Sequence, residues 1–289
     1  MAAFEDRHYN SSDGLRLHYR DYPGGHLEQP PILCLPGLTR NARDFEPVAE
    51  AFAGQWRVLA LDFRGRGGSA ADPVPARYVP PVYAKDVLKL LDQLGIADAV
   101  FVGTSLGGLV TMLIAAMEDE RIAGALLNDI GPEIAPEGIE RIRTYVGKPA
   151  SFGSFAEAGA TMMARAGDVY PRWGAAEWER FARRCCREDE GAVVYDYDMG
   201  IALPFAAANE AVQPDLWPWL DALKGKPVTI LRGELSDLFA QDVAARMVDV
   251  LGEGAELVTV PEVGHAPSFD EPESVAALKR LLERVPVPI

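Results

Sequence analysis

Cysteine is scarce in this 289-residue chain, and its three positions argue against a disulfide framework: the count is odd, and Cys185 and Cys186 are neighbours. Together with Cys34 they lack zinc-ligand spacing, so no metal site is expected, and a reducing, cytoplasmic setting is. Basic charge is also short. Lys and Arg number 28 against 43 Asp and Glu, for a net charge of −15, which disfavours nucleic acid and anionic membrane surfaces as partners. No run of 18 apolar residues occurs, so no membrane-spanning segment is expected. Residues 1–14 are polar and charged, without the apolar stretch of a signal peptide. Histidine is limited to four positions, and His8, His18 and His26 crowd into the first 30 residues, where edge-strand and turn sequence predicts surface positions. Any chemistry that needs an imidazole at a buried site is therefore left to His265.

What the chain does contain is a series of short, continuously apolar runs at residues 32–35, 58–61, 99–102, 125–127 and 228–231. Runs of that length, rich in Val, Ile and Leu, are the pattern of strands covered on both faces. Helical stretches at 42–53, 82–94, 106–117 and 242–251 lie between them, and alternation of this kind predicts a doubly wound, mostly parallel sheet. Residues 15–20 alternate apolar and polar, as in a half-buried antiparallel strand. The alternation fails over 132–214, which carries helical stretches at 155–166 and 175–187. It resumes at Val228. The reading is an α/β core of residues 1–131 and 215–289, interrupted by a helical insertion at 132–214 between strands six and seven of the core. The last residues, 285–289, read as a short tail.

Gly103-Thr104-Ser105-Leu106-Gly107 stands between a strand-length and a helix-length apolar run. A Gly-x-Ser-x-Gly at a strand–turn–helix junction holds its serine on a sharp, strained turn with the hydroxyl projecting outward. Serine is a weak nucleophile near neutral pH and needs a base. His265 follows the strand-like run 257–260 and so falls at the carboxyl edge of the sheet, where ligands of open α/β sheets bind. A carboxylate should orient that imidazole. Asp237, after the 228–231 run, is the preferred candidate. Asp129, at the end of the 125–127 run, is the alternative, and Glu234 a third. Asp270 and Glu273 read as a helix-capping pair. Backbone N–H groups of Leu38, in the turn Pro36-Gly37-Leu38-Thr39, and of Leu106 are candidate donors to a developing oxyanion.

These pieces, in the order Pro36-Gly37-Leu38, Asp62-Phe63-Arg64-Gly65-Arg66-Gly67-Gly68-Ser69, Ser105, Asp237 and His265, resemble the α/β-hydrolase superfamily along nearly the whole chain. Pro36 departs from the histidine many members carry before the oxyanion glycine. The resemblance implies that the insertion is a cap over the active site, and it brings Arg64 forward as a residue that could face the pocket. It also implies hydrolysis of a small or medium ester through an acyl-enzyme, without metal or organic cofactor, on a small-molecule substrate. Ser105, rather than aspartate, disfavours the dehalogenase and epoxide hydrolase branches. Carbon–carbon bond hydrolysis of ring-cleavage diketones, enol-lactone hydrolysis, acyl transfer to another acceptor, and a receptor role remain open readings. In the insertion, Tyr145, Phe152, Phe155, Met162, Met163, Trp173 and Trp178 are candidate pocket residues. Arg141, Arg143 and Arg165 are candidate partners for a substrate carboxylate. Nothing in the sequence fixes the oligomeric state.

Overall fold

The computed structural model describes residues 2–26, 28–210 and 214–286. The core sheet has eight strands: β1 (Glu5–Asn10), β2 (Arg16–Tyr22), β3 (Ile32–Leu35), β4 (Val58–Leu61), β5 (Ala99–Thr104), β6 (Ile122–Asn128), β10 (Val228–Gly233) and β11 (Ala255–Val260). Their order is β1-β2-β4-β3-β5-β6-β10-β11, and only the β1–β2 and β2–β4 pairings are antiparallel. The doubly wound, mostly parallel sheet expected from the sequence is the observed one.

Why the strands read as unbroken apolar runs is visible in the two cores. Leu33, Leu35, Leu59, Leu61, Phe101 and Leu127 face one, with α2 (Pro80–Leu94), α3 (Leu106–Met117) and α9 (Gln241–Leu251). Ile32, Cys34, Val58, Ala60, Val100, Val102 and Leu126 face the other, with α1 (Glu46–Phe52) and α10 (Pro272–Arg284). Period-2 alternation then places apolar side chains on both faces. The first strand escapes this logic. In β1 only Tyr9 is buried, because an edge strand can be blunted with charge and needs one covered face.

Between β6 and β10 lie α4 (Pro136–Arg143), β7 (Ser151–Phe152), α5 (Phe155–Ala166), α6 (Ala175–Cys185), β8 (Cys186–Asp189), β9 (Ala192–Tyr195), α7 (Ala202–Glu210) and α8 (Trp217–Asp221). Helix α5 has the bounds expected. Helix α6 stops two residues early, and β7, β9 and β8 form a small antiparallel sheet that the sequence reading did not include. Its strands are two to four residues long and largely exposed or half-buried, too short to show a period. Residues 211–213, at the expected end of the insertion, and 287–289, in the expected tail, lie outside the described residues, as do Met1 and Leu27.

Two buried polar knots brace the amino-terminal half. His18 is buried, not at the surface: its Nδ1 lies 2.7 Å from Asp62 Oδ2, and Asp62 also accepts the Ala42 and Gly68 amides. Arg64 is also buried and does not face a pocket. Its guanidinium donates to Asp13, Asp72 and Asp86 at 2.5–3.1 Å. Substituting Arg64→Met would strand the buried carboxylates of Asp72 and Asp86, and a loss of about 3–5 kcal/mol in urea denaturation is expected. The hydrogen bonds from Arg64, then Ser11, lower the pKa of Asp13 to about 2. A depressed carboxylate pKa stabilises the fold above the unfolded value and loses that effect as pH falls through the folded value. Asp13→Asn is therefore expected to flatten the acid limb of the stability curve between about pH 4 and pH 2.

Candidate active site

Chain reversal in the sheet fixes where the site forms. From β3 the chain moves to β4 on one side and later to β5 on the other, so the carboxyl ends of β3 and β5 flank a switch point. The turn after β3 carries Gly37 and Leu38, and the turn after β5 carries Ser105. Ser105 has φ 52° and ψ −115°, a left-handed-side conformation that a non-glycine residue adopts only when its surroundings enforce it. The enforcement comes from close packing behind it. A Cβ on Gly107 would lie 2.0 Å from the Leu35 carbonyl oxygen, and one on Gly103 would lie 2.5 Å from the backbone of Gly107. Helix α3 can approach the sheet this closely only with glycine at both positions.

Ser105 Oγ lies 2.9 Å from His265 Nε2, and His265 Nδ1 lies 2.8 Å from Asp129 Oδ2. Since an ionised carboxylate only accepts, the Nδ1–H donates to Asp129 and Nε2 is left to accept from the serine hydroxyl. Asp129 is completely buried, and its oxygens also accept the Gly233 N–H at 2.8 Å and the Ser236 hydroxyl at 2.5 Å. The preference for Asp237 is thus corrected. Its carboxylate takes a bidentate pair from Arg141 on α4, at 2.6 and 2.8 Å. Burial alone would raise its pKa, but the Arg141 hydrogen bonds and charge, with His265 beyond them, hold it below the ordinary value. Glu234 accepts the Glu262 amide instead of the imidazole N–H, which goes to Asp129. Asp270 pairs with Arg184, not with the amides of α10.

Three contacts hold the His265 loop. Gly264 N–H donates to the Val169 carbonyl at 2.7 Å, the Tyr170 hydroxyl to the Ala266 carbonyl at 2.6 Å, and Asn128 Nδ2 to the Pro267 carbonyl at 2.9 Å. Asn128 Nδ2 also reaches Thr104 Oγ1, next to Ser105. On the other side, the buried Arg66 donates through Nε and Nη2 to the Leu38 carbonyl at 2.9 and 2.8 Å and so fixes that residue. The Leu38 and Leu106 amides have no acceptor among the described residues, Leu106 because it is the first residue of α3. Asn128, Ser236, Tyr170 and Arg66 were not singled out in the sequence. Asn128 and Ser236, each adjacent to a candidate acid, offered a signal.

Beside Ser105 and His265 opens a cavity of about 200 Å³, walled by Leu38, Ile142, Tyr145, Met162, Val169, Trp178 and Phe181 among others. Phe152, Phe155, Met163 and Trp173 are not in its wall. Trp173 instead stacks on Tyr170 at 3.8 Å, in a cluster with Trp178 and Phe181.

Residues 32–278 match the alpha/beta hydrolase family. The chain belongs to that family. This alpha/beta hydrolase is 35% identical over 273 residues to the 3-hydroxybutyrate-oligomer hydrolase of Cupriavidus necator, covering 90% of each chain. An alpha/beta hydrolase from Novosphingobium aromaticivorans superposes with a TM-score of 0.93 at 52% identity, over 99% of this chain and 100% of that one. The fold is shared as well by E-2-(acetamidomethylene)succinate hydrolase, with a TM-score of 0.82 at 24% identity over 97% of this chain and 100% of that one. The protein is a hydrolase. In this hydrolase, Gly107→Ala is expected to destabilise by about 3 kcal/mol, the upper range for overpacking, because the clash falls on backbone and not on a movable side chain. Chemical denaturation measures it.

Proposed function

We propose that the protein is a serine hydrolase that cleaves carboxylic esters through an acyl-enzyme, with Ser105 as nucleophile, His265 as base and Asp129 as the orienting acid. The observation that carries this reading is the unbroken hydrogen-bonded chain from Ser105 through His265 to Asp129. His265 Nε2 takes the Ser105 proton as Oγ bonds to the substrate carbonyl carbon. The carbonyl oxygen becomes an oxyanion facing the Leu38 and Leu106 amides. As the tetrahedral intermediate collapses, the imidazolium returns its proton to the departing alcohol and the acyl group stays on Oγ. Water then gives a proton to His265, attacks the acyl carbon, and releases the acid while Oγ recovers the proton. Asp129, fixed by Gly233 and Ser236, keeps the proton on Nδ1 and stabilises the imidazolium in both steps.

The relative from Cupriavidus necator favours short hydroxy-acid ester oligomers as the substrate class, within the wider set of small esters. Residues 132–214 serve in this reading as the cap that shapes the pocket, since Tyr145, Met162 and Trp178 come from them. Free thiols at Cys34, Cys185 and Cys186 suit a reducing, cytoplasmic setting. No helix of the described residues is long and apolar enough to cross a membrane.

The test is hydrolysis of p-nitrophenyl butyrate and of linear 3-hydroxybutyrate dimer. Ser105→Ala is expected to lower kcat at least about 10³-fold, and Asp129→Asn roughly 10⁴-fold by favouring the wrong tautomer. Asp237→Asn should stay within about tenfold of wild type. Full activity in Ser105→Ala overturns the nucleophile assignment. A larger loss in Asp237→Asn than in Asp129→Asn overturns the choice of acid.

A further inference from the structure

Four guanidinium groups line the cavity, and their partners differ. Arg40 is held by Asp44, Arg141 by Asp237 and Arg184 by Asp270. Arg165 has no carboxylate partner among the described residues; its Nη1 lies 3.5 Å from the Tyr195 hydroxyl, a long contact that leaves its N–H groups available. Arg143, the remaining arginine considered from the sequence, pairs with Glu140 and is not in the wall.

The placement of Arg165 follows from helical spacing. Met162, Arg165 and Ala166 stand at i, i+3 and i+4 along the end of α5, and all three line the cavity. The guanidinium is exposed, which sets it toward the mouth, while Met162 on the same face is buried. A second donor stands in the same wall. Trp178 is 1% exposed, and its indole N–H has no acceptor among the described residues. A guanidinium with no carboxylate partner and an indole N–H with no acceptor among the described residues, both in the wall of one cavity, are complementary to an anionic acceptor.

We propose that Arg165 is a specificity-determining residue that binds a carboxylate carried by the substrate on the part remote from the scissile ester, so that the preferred substrates are acid-terminated esters. This rests on the serine-hydrolase reading above and adds to it the charge of the substrate. The free acid end of a short hydroxy-acid oligomer has this chemistry, and so does the half-ester of a dicarboxylic acid. An exposed guanidinium–carboxylate pair of this kind acts mainly through binding, and its effect is expected in KM more than in kcat.

The experiment compares p-nitrophenyl hemiglutarate with p-nitrophenyl valerate, similar in length and differing in the terminal carboxylate. Wild type is expected to favour the anionic ester in kcat/KM. Arg165→Gln should reduce that preference roughly tenfold through KM, with partial recovery in Arg165→Lys and a matching loss of preference in 0.5 M salt. Arg180→Gln removes a charge from an exposed α6 arginine outside the cavity wall and serves as the control for the net charge of the insertion. Equal preference in wild type and Arg165→Gln, or the same change in Arg180→Gln, overturns the proposal while leaving the esterase reading intact. Absence of turnover on both esters in the folded wild type instead counts against the esterase reading itself.

Discussion

A single buried carboxylate organises this molecule. Asp129 sits one residue past β6, at φ 55°, with no exposure to solvent. An ion so placed is tolerable only when its lone pairs are filled, and three donors fill them: the Gly233 N–H at the end of β10, the Ser236 hydroxyl just beyond it and the His265 Nδ1–H after β11, while the Asp129 backbone N–H donates to the Leu231 carbonyl. The carboxyl ends of β6, β10 and β11 are thereby tied to one point. The neighbouring Asn128 extends the same tie to Thr104 and to Pro267. The imidazole is consequently held at both ends, by the acid on one nitrogen and by the loop on either side of it.

Charge elsewhere is arranged on a similar rule of pairing. Arg64, in the turn after β4, collects three aspartates, and Arg66 directs its donors to carbonyls and to the Tyr83 hydroxyl. These two arginines, two residues apart in a glycine-rich turn, do different work: one holds the fold of the amino-terminal half, the other sets Leu38 beside the serine. The acidity of the chain as a whole says little about either.

Much of this was legible because local pattern and tertiary role agree. The apolar runs gave the parallel strands, and the glycines around Ser105 gave the turn, since both follow from packing that any sheet of this kind requires. His265 was legible by scarcity. The choice of acid was not. Strands β6 and β10 are parallel neighbours with Asn128 opposite Leu231, so Asp129 and Asp237 emerge from adjacent strand ends. Sequence distance cannot tell which loop turns toward the imidazole, and the deciding fact is that Arg141, 96 residues away, occupies Asp237. His18 misled for a related reason. Its alternating strand looks like an edge, but β1, without an apolar signature, covers it and supplies Asp6 to its second nitrogen at 2.9 Å.

The insertion touches the His265 loop through backbone atoms. Val169 and Tyr170 grip Gly264 and Ala266, the residues on either side of the imidazole, while Arg141 grips the β10 loop that also feeds Asp129. Residues that wall the cavity are therefore the same residues that hold the His265 loop. Drawing this wall aside to widen the cavity would release the histidine from its register with the serine. In the proposed serine-hydrolase reading, access to the cavity and alignment of His265 with Ser105 thus draw on the same few hydrogen bonds.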